Sequence, residues 1–311
     1  MIRLIKKIYR FLDKKSWKGL INEGRKRKHR IHWRFLRCLD NKFIGVNKAI
    51  KKWAKLESKI KKIGLARVSK ELITLLNIEV ELSKKIDKWT KKGRGAIFVG
   101  LNHDSWIEAF IFFSLLKRDD FRAIGLISFS RLGKNYAKYI LPVMERKYAW
   151  NYEKSSIVKW DKLLLRAENL AIEDVNNINK DTFDKAARNL GKGESILIFT
   201  TGGHGIKSKW GYGIEEIIKR IDANELANVD IVPFYFSGLK KWDVVKRISL
   251  AALNKNPPKL GVKITVGKIL TLGNIKFNWE VNERGVFSKW LRWKLLTTMG
   301  FAVEKVGVRN R

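Results

Sequence analysis

The chain reads as an α/β protein, a mostly parallel central sheet flanked by helices and preceded by a basic helical N-terminal region. Three observations predict it. Apolar runs such as 95–101, 195–200 and 230–236 are too continuous for strands with one wet face, which suits a parallel sheet buried on both sides. They alternate with stretches of helical character, the order expected of an α/β domain. Basic residues crowd the first fifth of the chain.

In chain order, Ile5, Ile8, Tyr9 and Leu12 recur at i, i+3, i+4 and i+7 with Lys6, Lys7, Arg10 and Lys14 between them, which predicts a basic amphipathic helix. A second run, 24–37, sets Arg25, Lys26, Arg27, Lys28 and Arg30 beside Trp33 and Phe35. Residues 1–70 hold 24 Lys and Arg against 4 Asp and Glu. Any one such stripe reads equally as the solvated side of a packed helix; together they favour a region that binds a charged surface. The expected division is therefore 1–70, a membrane-surface region, and 71–311, an α/β domain. Strands are expected at 72–80, 95–101, 123–129, 195–200, 230–236 and 262–266, with helices near 105–116, 155–175, 181–191, 211–222 and 241–253. Pro257-Pro258 marks a loop before the last strand, and 288–299 predicts a basic, Trp-bearing helix that presents Phe287, Trp290, Leu291 and Leu295.

Composition narrows the function. Over 311 residues, 66 Lys and Arg stand against 30 Asp and Glu, a net charge of +36 that calls for a polyanionic partner, either nucleic acid or an anionic bilayer. No RNA- or DNA-binding motif accompanies the charge, which counts against nucleic acid. The single cysteine, Cys38, excludes an internal disulfide and a Cys-rich zinc site, in keeping with a reducing compartment. No apolar run approaches the roughly 20 residues of a spanning helix, and Arg3, Lys6, Lys7 and Arg10 interrupt any signal-peptide core. The expectation is a protein lying on the cytoplasmic face of a membrane.

The segment 96–110 carries the chemistry: an apolar strand runs into Asn102-His103 and then into a helix that Asp104 or Ser105 can cap. Sites of open α/β sheets lie at such strand ends. On one continuous helix His103 and Glu108 would point about 140° apart, at about 100° per residue. A histidine in the non-helical entry can instead fold back onto Glu108. A carboxylate on one imidazole nitrogen fixes the tautomer and leaves the other nitrogen to take a proton from a hydroxyl. The alternative is a histidine that merely hydrogen-bonds at a helix start, or one paired with Asp104. Rival motifs are weak: the Gly202-Gly203-His204-Gly205 loop lacks the Gly-Lys-Ser/Thr end of a P-loop. Four His and one Cys at unrelated spacings make no metal site, and Ser105 has no Gly-x-Ser-x-Gly elbow.

Asn102-His103 followed by Glu108 resembles the first motif of the glycerophospholipid acyltransferase family, of the lysophosphatidic acid acyltransferase type, in which Asn-His and four residues precede an Asp. Other blocks follow in the family's order: an apolar stretch ending in Arg146, a third block at 199–205 with Thr201 where the family has Glu, and Val232-Pro233. The resemblance implies His103 as general base, Glu108 as its orienting acid, and Arg146, Thr201 and Gly202 at the substrate. Composition adds Lys207 or Lys209 beside the glycine-rich loop as a phosphate contact, the alternative being a plain turn before the next helix. The resemblance also implies transfer of an acyl group from acyl-CoA or acyl-ACP, a co-substrate rather than a bound cofactor, to a hydroxyl of a lysophospholipid. Acidic acyl carrier protein and an anionic membrane surface are the partners it implies. Glu108 and Thr201 leave open a different acceptor, a lipid A-like sugar or an amino lipid.

Overall fold

A computed structural model of the chain describes residues 46–82, 94–103, 105, 107–116, 120–126, 134–143, 172–201, 210–275, 277 and 283–302. Its first element is α1 (Val46–Leu75), broken at Gly64, where φ of 78° and ψ of 162° suit a residue without Cβ. After the break Leu65, Val68, Leu72 and Leu76 recur every three or four residues and are buried. This stripe explains why the strand expected at 72–80 begins late: the helical period continues to Leu76, Asn77 turns the chain with φ of 51°, and alternation starts only with β1 (Ile78–Leu82). Residue 70, where the charge density changes, lies inside α1.

The remaining elements are β2 (Gly95–Gly100), α2 (Ile107–Leu115), β3 (Phe121–Leu126), α3 (Lys134–Ala137), β4 (Ile140–Val143), α4 (Ile172–Gly191), β5 (Ser195–Phe199), α5 (Gly213–Ile218), β6 (Val229–Ser237), α6 (Lys241–Ala252), β7 (Leu260–Val266), β8 (Leu270–Thr271) and α7 (Val286–Thr298). The helix expected at 181–191 is the C-terminal half of α4, which runs unbroken because neither Gly nor Pro interrupts it before Gly191; residues 155–171 of the helix expected at 155–175 lie outside the described residues. The helix expected at 211–222 shortens to α5, and α3 and β4 were not anticipated.

The eight strands form one sheet in the order β1-β7-β6-β2-β5-β3-β4, with β8 also on β6. β6, β2, β5, β3 and β4 run parallel, whereas β7 and β8 pair with β6 antiparallel and β1 follows β7. The sheet is thus mostly parallel, as the buried runs predict. Pro233 is tolerated in the middle of β6 because its partners change there: β8 pairs with 230–231, β7 with 234–237, and Pro233 needs only its carbonyl, which accepts Gly267 N–H at 2.9 Å.

Helices cover both faces. On one, α1, α2 and α6 bury Leu65, Ile107, Phe110 and Val244 against Phe98, Phe234 and Val262; on the other, α4, α5 and α7 bury Ala186, Ile214 and Leu291 against Ile97 and Val99. β2 is buried along its whole length. Phe98, Phe112, Phe121 and Phe234 form a chain of ring contacts 4.7–5.8 Å apart beneath α2. At about 1.5–3 kcal/mol for each fully buried large side chain, they anchor α2 to the sheet.

Candidate active site

β2 and β5 are neighbours whose exits go to opposite faces: β2 leads to α2 on one side and β5 to α5 on the other. A crevice between adjacent strand ends is where open α/β sheets hold their sites. Four local features shape this one. Gly100 pairs with Phe199, and a Cβ on it would come within 2.3 Å of Phe199 Cδ1, so glycine lets that ring lie over the end of β2. Leu101 N–H donates to Phe234 O at 2.9 Å. The Asn102 side chain donates from Nδ2 to Phe236 O at 2.9 Å and accepts Phe236 N–H on Oδ1 at 3.0 Å. Glu108 N–H then donates to Ser105 O at 3.2 Å and opens α2.

Between these anchors His103 folds back. Its Nδ1 lies 2.6 Å from Glu108 Oε2, and its ring stacks on Phe199 with centroids 4.3 Å apart and planes at 21°. The Glu108 side chain is 0% exposed and that of His103 19%, so the acid is sealed while the imidazole reaches the surface. With Glu108 ionised, Nδ1 carries the proton and donates, which leaves Nε2 as the basic nitrogen. A charge-assisted bond of this length holds the ring in one orientation.

The structure brings His103 and Glu108 together. Thr201, also anticipated at the site, is 3% exposed just past the end of β5, and its hydroxyl has no hydrogen-bond partner among the described residues. Arg146, Gly202, Lys207 and Lys209 lie outside the described residues, as does Asp104. Ser105 serves α2 through its carbonyl rather than as a side-chain cap. Phe199 and Asn102 were visible in the sequence as residues of their blocks but not as a stacking platform and a strand-to-strand clamp. The signal was there in part, since a glycine closing an apolar strand often marks close approach by a neighbour.

Among the described residues no group of three or more His, Cys, Asp or Glu is placed to hold a metal ion, and no helix is long and apolar enough to cross a membrane.

The chain is therefore an open α/β protein with a histidine–carboxylate pair at the switch point of its sheet. Among solved structures it is similar to the crystal structure of the 1-acyl-sn-glycerophosphate (LPA) acyltransferase PlsC from Thermotoga maritima, at 14% identity with a TM-score of 0.40, covering 88% of this chain and 96% of that one. No protein-family model and no curated protein matches the chain.

Proposed function

We propose that this protein is an O-acyltransferase that moves a fatty acyl group from an acyl thioester to a hydroxyl of a lysophospholipid while bound to an anionic membrane surface. The observation that carries the reading is the 2.6 Å contact between His103 Nδ1 and the fully buried Glu108, at the mouth between β2 and β5. His103 Nε2 removes the proton from the acceptor hydroxyl as its oxygen attacks the thioester carbonyl carbon. The tetrahedral intermediate collapses, the C–S bond breaks, and the thiolate recovers the proton from His103, giving an ester and a free thiol. Glu108 keeps Nδ1 protonated throughout and balances the imidazolium. No cofactor is required.

The basic N-terminal region supplies the membrane contact. Each Lys or Arg near an anionic leaflet contributes about 1 kcal/mol, so the cluster Arg25, Lys26, Arg27, Lys28 and Arg30 with nearby Trp33 holds a protein to the cytoplasmic face as a peripheral enzyme. The same charge attracts acidic acyl carrier protein.

The test offers purified protein on anionic vesicles a panel of lysolipids, lysophosphatidic acid among them, with acyl carrier protein and coenzyme A thioesters as donors. Acyl transfer that falls by roughly 10²–10⁴-fold in His103→Ala supports the reading. No transfer from any pair, with vesicle binding intact, overturns it.

A further inference from the structure

We infer that Asn102 is the positioning residue of the proposed general base, a role that rests on the acyltransferase reading. β2 ends at Gly100, while β6 continues to Ser237 with a free edge toward the departing chain. The Asn102 amide takes the place of the missing backbone. It presents one donor and one acceptor to the C=O and N–H of Phe236, at 2.9 and 3.0 Å, and lies buried between the strands. Phe236 is itself buried, so without this clamp two backbone groups lose their partners.

The residue type is dictated. A serine offers a single, shorter-reaching oxygen in place of the two terminal atoms that meet Phe236, aspartate in its ionised form has no donor for Phe236 O, leucine has neither group, and glutamine is one methylene too long for the same two-point fit. The clamp lets the chain leave the sheet at a fixed point, and His103 is the very next residue. From there the imidazole must meet two constraints together, the 2.6 Å bond to Glu108 and the stack on Phe199 at 4.3 Å. Glu108 is set by α2 and Phe199 by β5, so neither can follow a displaced His103. Loss of the clamp frees the backbone of 102–103 while acid and platform stay where they are. A misplacement of about 1 Å at a reacting group typically costs about 100-fold in rate.

The test compares Asn102→Ser and Asn102→Ala with wild type in three measurements. These are thermal unfolding, kcat and KM for acyl transfer on anionic vesicles, and the far-downfield proton NMR signal of the His103 Nδ1–H shared with Glu108, assigned by its loss in His103→Ala. The expected result is a folded Asn102→Ser protein in which kcat falls about 10- to 100-fold, KM stays within about twofold and the downfield proton shifts or disappears. A lowered melting temperature with kcat and the downfield proton unchanged in the folded variant overturns the inference. So does failure of both variants to fold, which assigns Asn102 to the sheet as a whole. Wild-type protein without transferase activity, or activity that survives His103→Ala, breaks the acyltransferase reading instead and leaves the clamp readable through the NMR signal alone.

Discussion

Two buried glutamates, on helices packed on opposite faces of the sheet, differ in what they meet: one faces an imidazole, the other backbone amides. Glu108, on α2, is fully buried with the imidazole of a half-buried histidine at 2.6 Å. Glu215, on α5, is equally buried, but it is surrounded. Its Oε1 and Oε2 accept Gly285 N–H at 2.9 and 3.0 Å, Oε2 accepts Ser288 N–H and Oγ–H at 3.2 and 3.3 Å, and Lys219 Nζ lies 3.2 Å from Oε1. It caps the first turn of α7 from another helix, satisfying donors that the helix itself leaves open and placing negative charge at its N-terminus. Burial of a charge does not by itself mark a site; the partner does. Backbone amides hold a carboxylate permanently, whereas an imidazole with a second nitrogen at the surface can pass a proton on.

The sharpest way to break this contrast is to make the same change at both positions. Glu108→Gln should lower acyl transfer by on the order of 10²–10⁴-fold, through the wrong tautomer and the lost charge, with only a small shift in thermal unfolding. Glu215→Gln should do the reverse. It turns an amide group against the Gly285 and Ser288 N–H donors and costs about 2–4 kcal/mol in denaturant unfolding, while the rate per folded molecule is kept. Equal losses of rate in the two variants would dissolve the distinction.

Two glycines extend the comparison. In Gly100→Ala the new Cβ meets Phe199 Cδ1 at 2.3 Å, so the ring must tip and take the His103 stack with it. The expected outcome is a loss of about 1–3 kcal/mol in stability together with about a tenfold fall in transfer. Gly285 sits at φ of 90° in the α7 cap, against Tyr212. Gly285→Ala should cost about 1–3 kcal/mol with transfer by the folded protein unchanged, since what is affected is the backbone strain at the α7 cap, the structural glutamate's partner and the Tyr212 ring, which the new Cβ would meet at 2.4 Å.

The smallest effect concerns Glu216, next to the structural carboxylate. Burial pushes its carboxyl up, but hydrogen bonds and charge from Arg220 and Arg284 outweigh that and hold it below the usual range. Because the folded value is depressed, the stabilisation is fully present above the ordinary glutamate value of about 4.3 and is lost as pH falls through the lower folded value. Glu216→Gln should therefore be less stable than wild type by under about 1 kcal/mol at neutral pH. Acid titration of unfolding should show the two converging at the bottom of that window.

How far the sequence carries depends on whether a feature is local. The buried run at 95–101 and the Asn102-His103 exit predict β2 and the start of a site, because burial on both faces leaves a continuous apolar signature. The return of His103 onto Glu108 was open in the sequence, since it depends on the chain staying non-helical for a few residues after the strand. Strand direction left only a partial trace: Val262, Ile264 and Val266 alternate with Gly261, Lys263 and Thr265, the pattern of a strand with one wet face, but which neighbour β7 runs against is set by the connection. The boundary between α1 and β1 was misread because Leu72, Ile73 and Leu76 are as apolar as a strand and only Asn77 separates the two periods. The Asn102 clamp joins residues 134 positions apart, so no local pattern announces it.

The account stands on the His103–Glu108 pair, and single-turnover acyl transfer by wild type and Glu108→Gln, both shown to be folded, tests it most directly. Product formed by wild type and slowed at least 100-fold in the variant is the predicted result. Equal rates in the two proteins would contradict it.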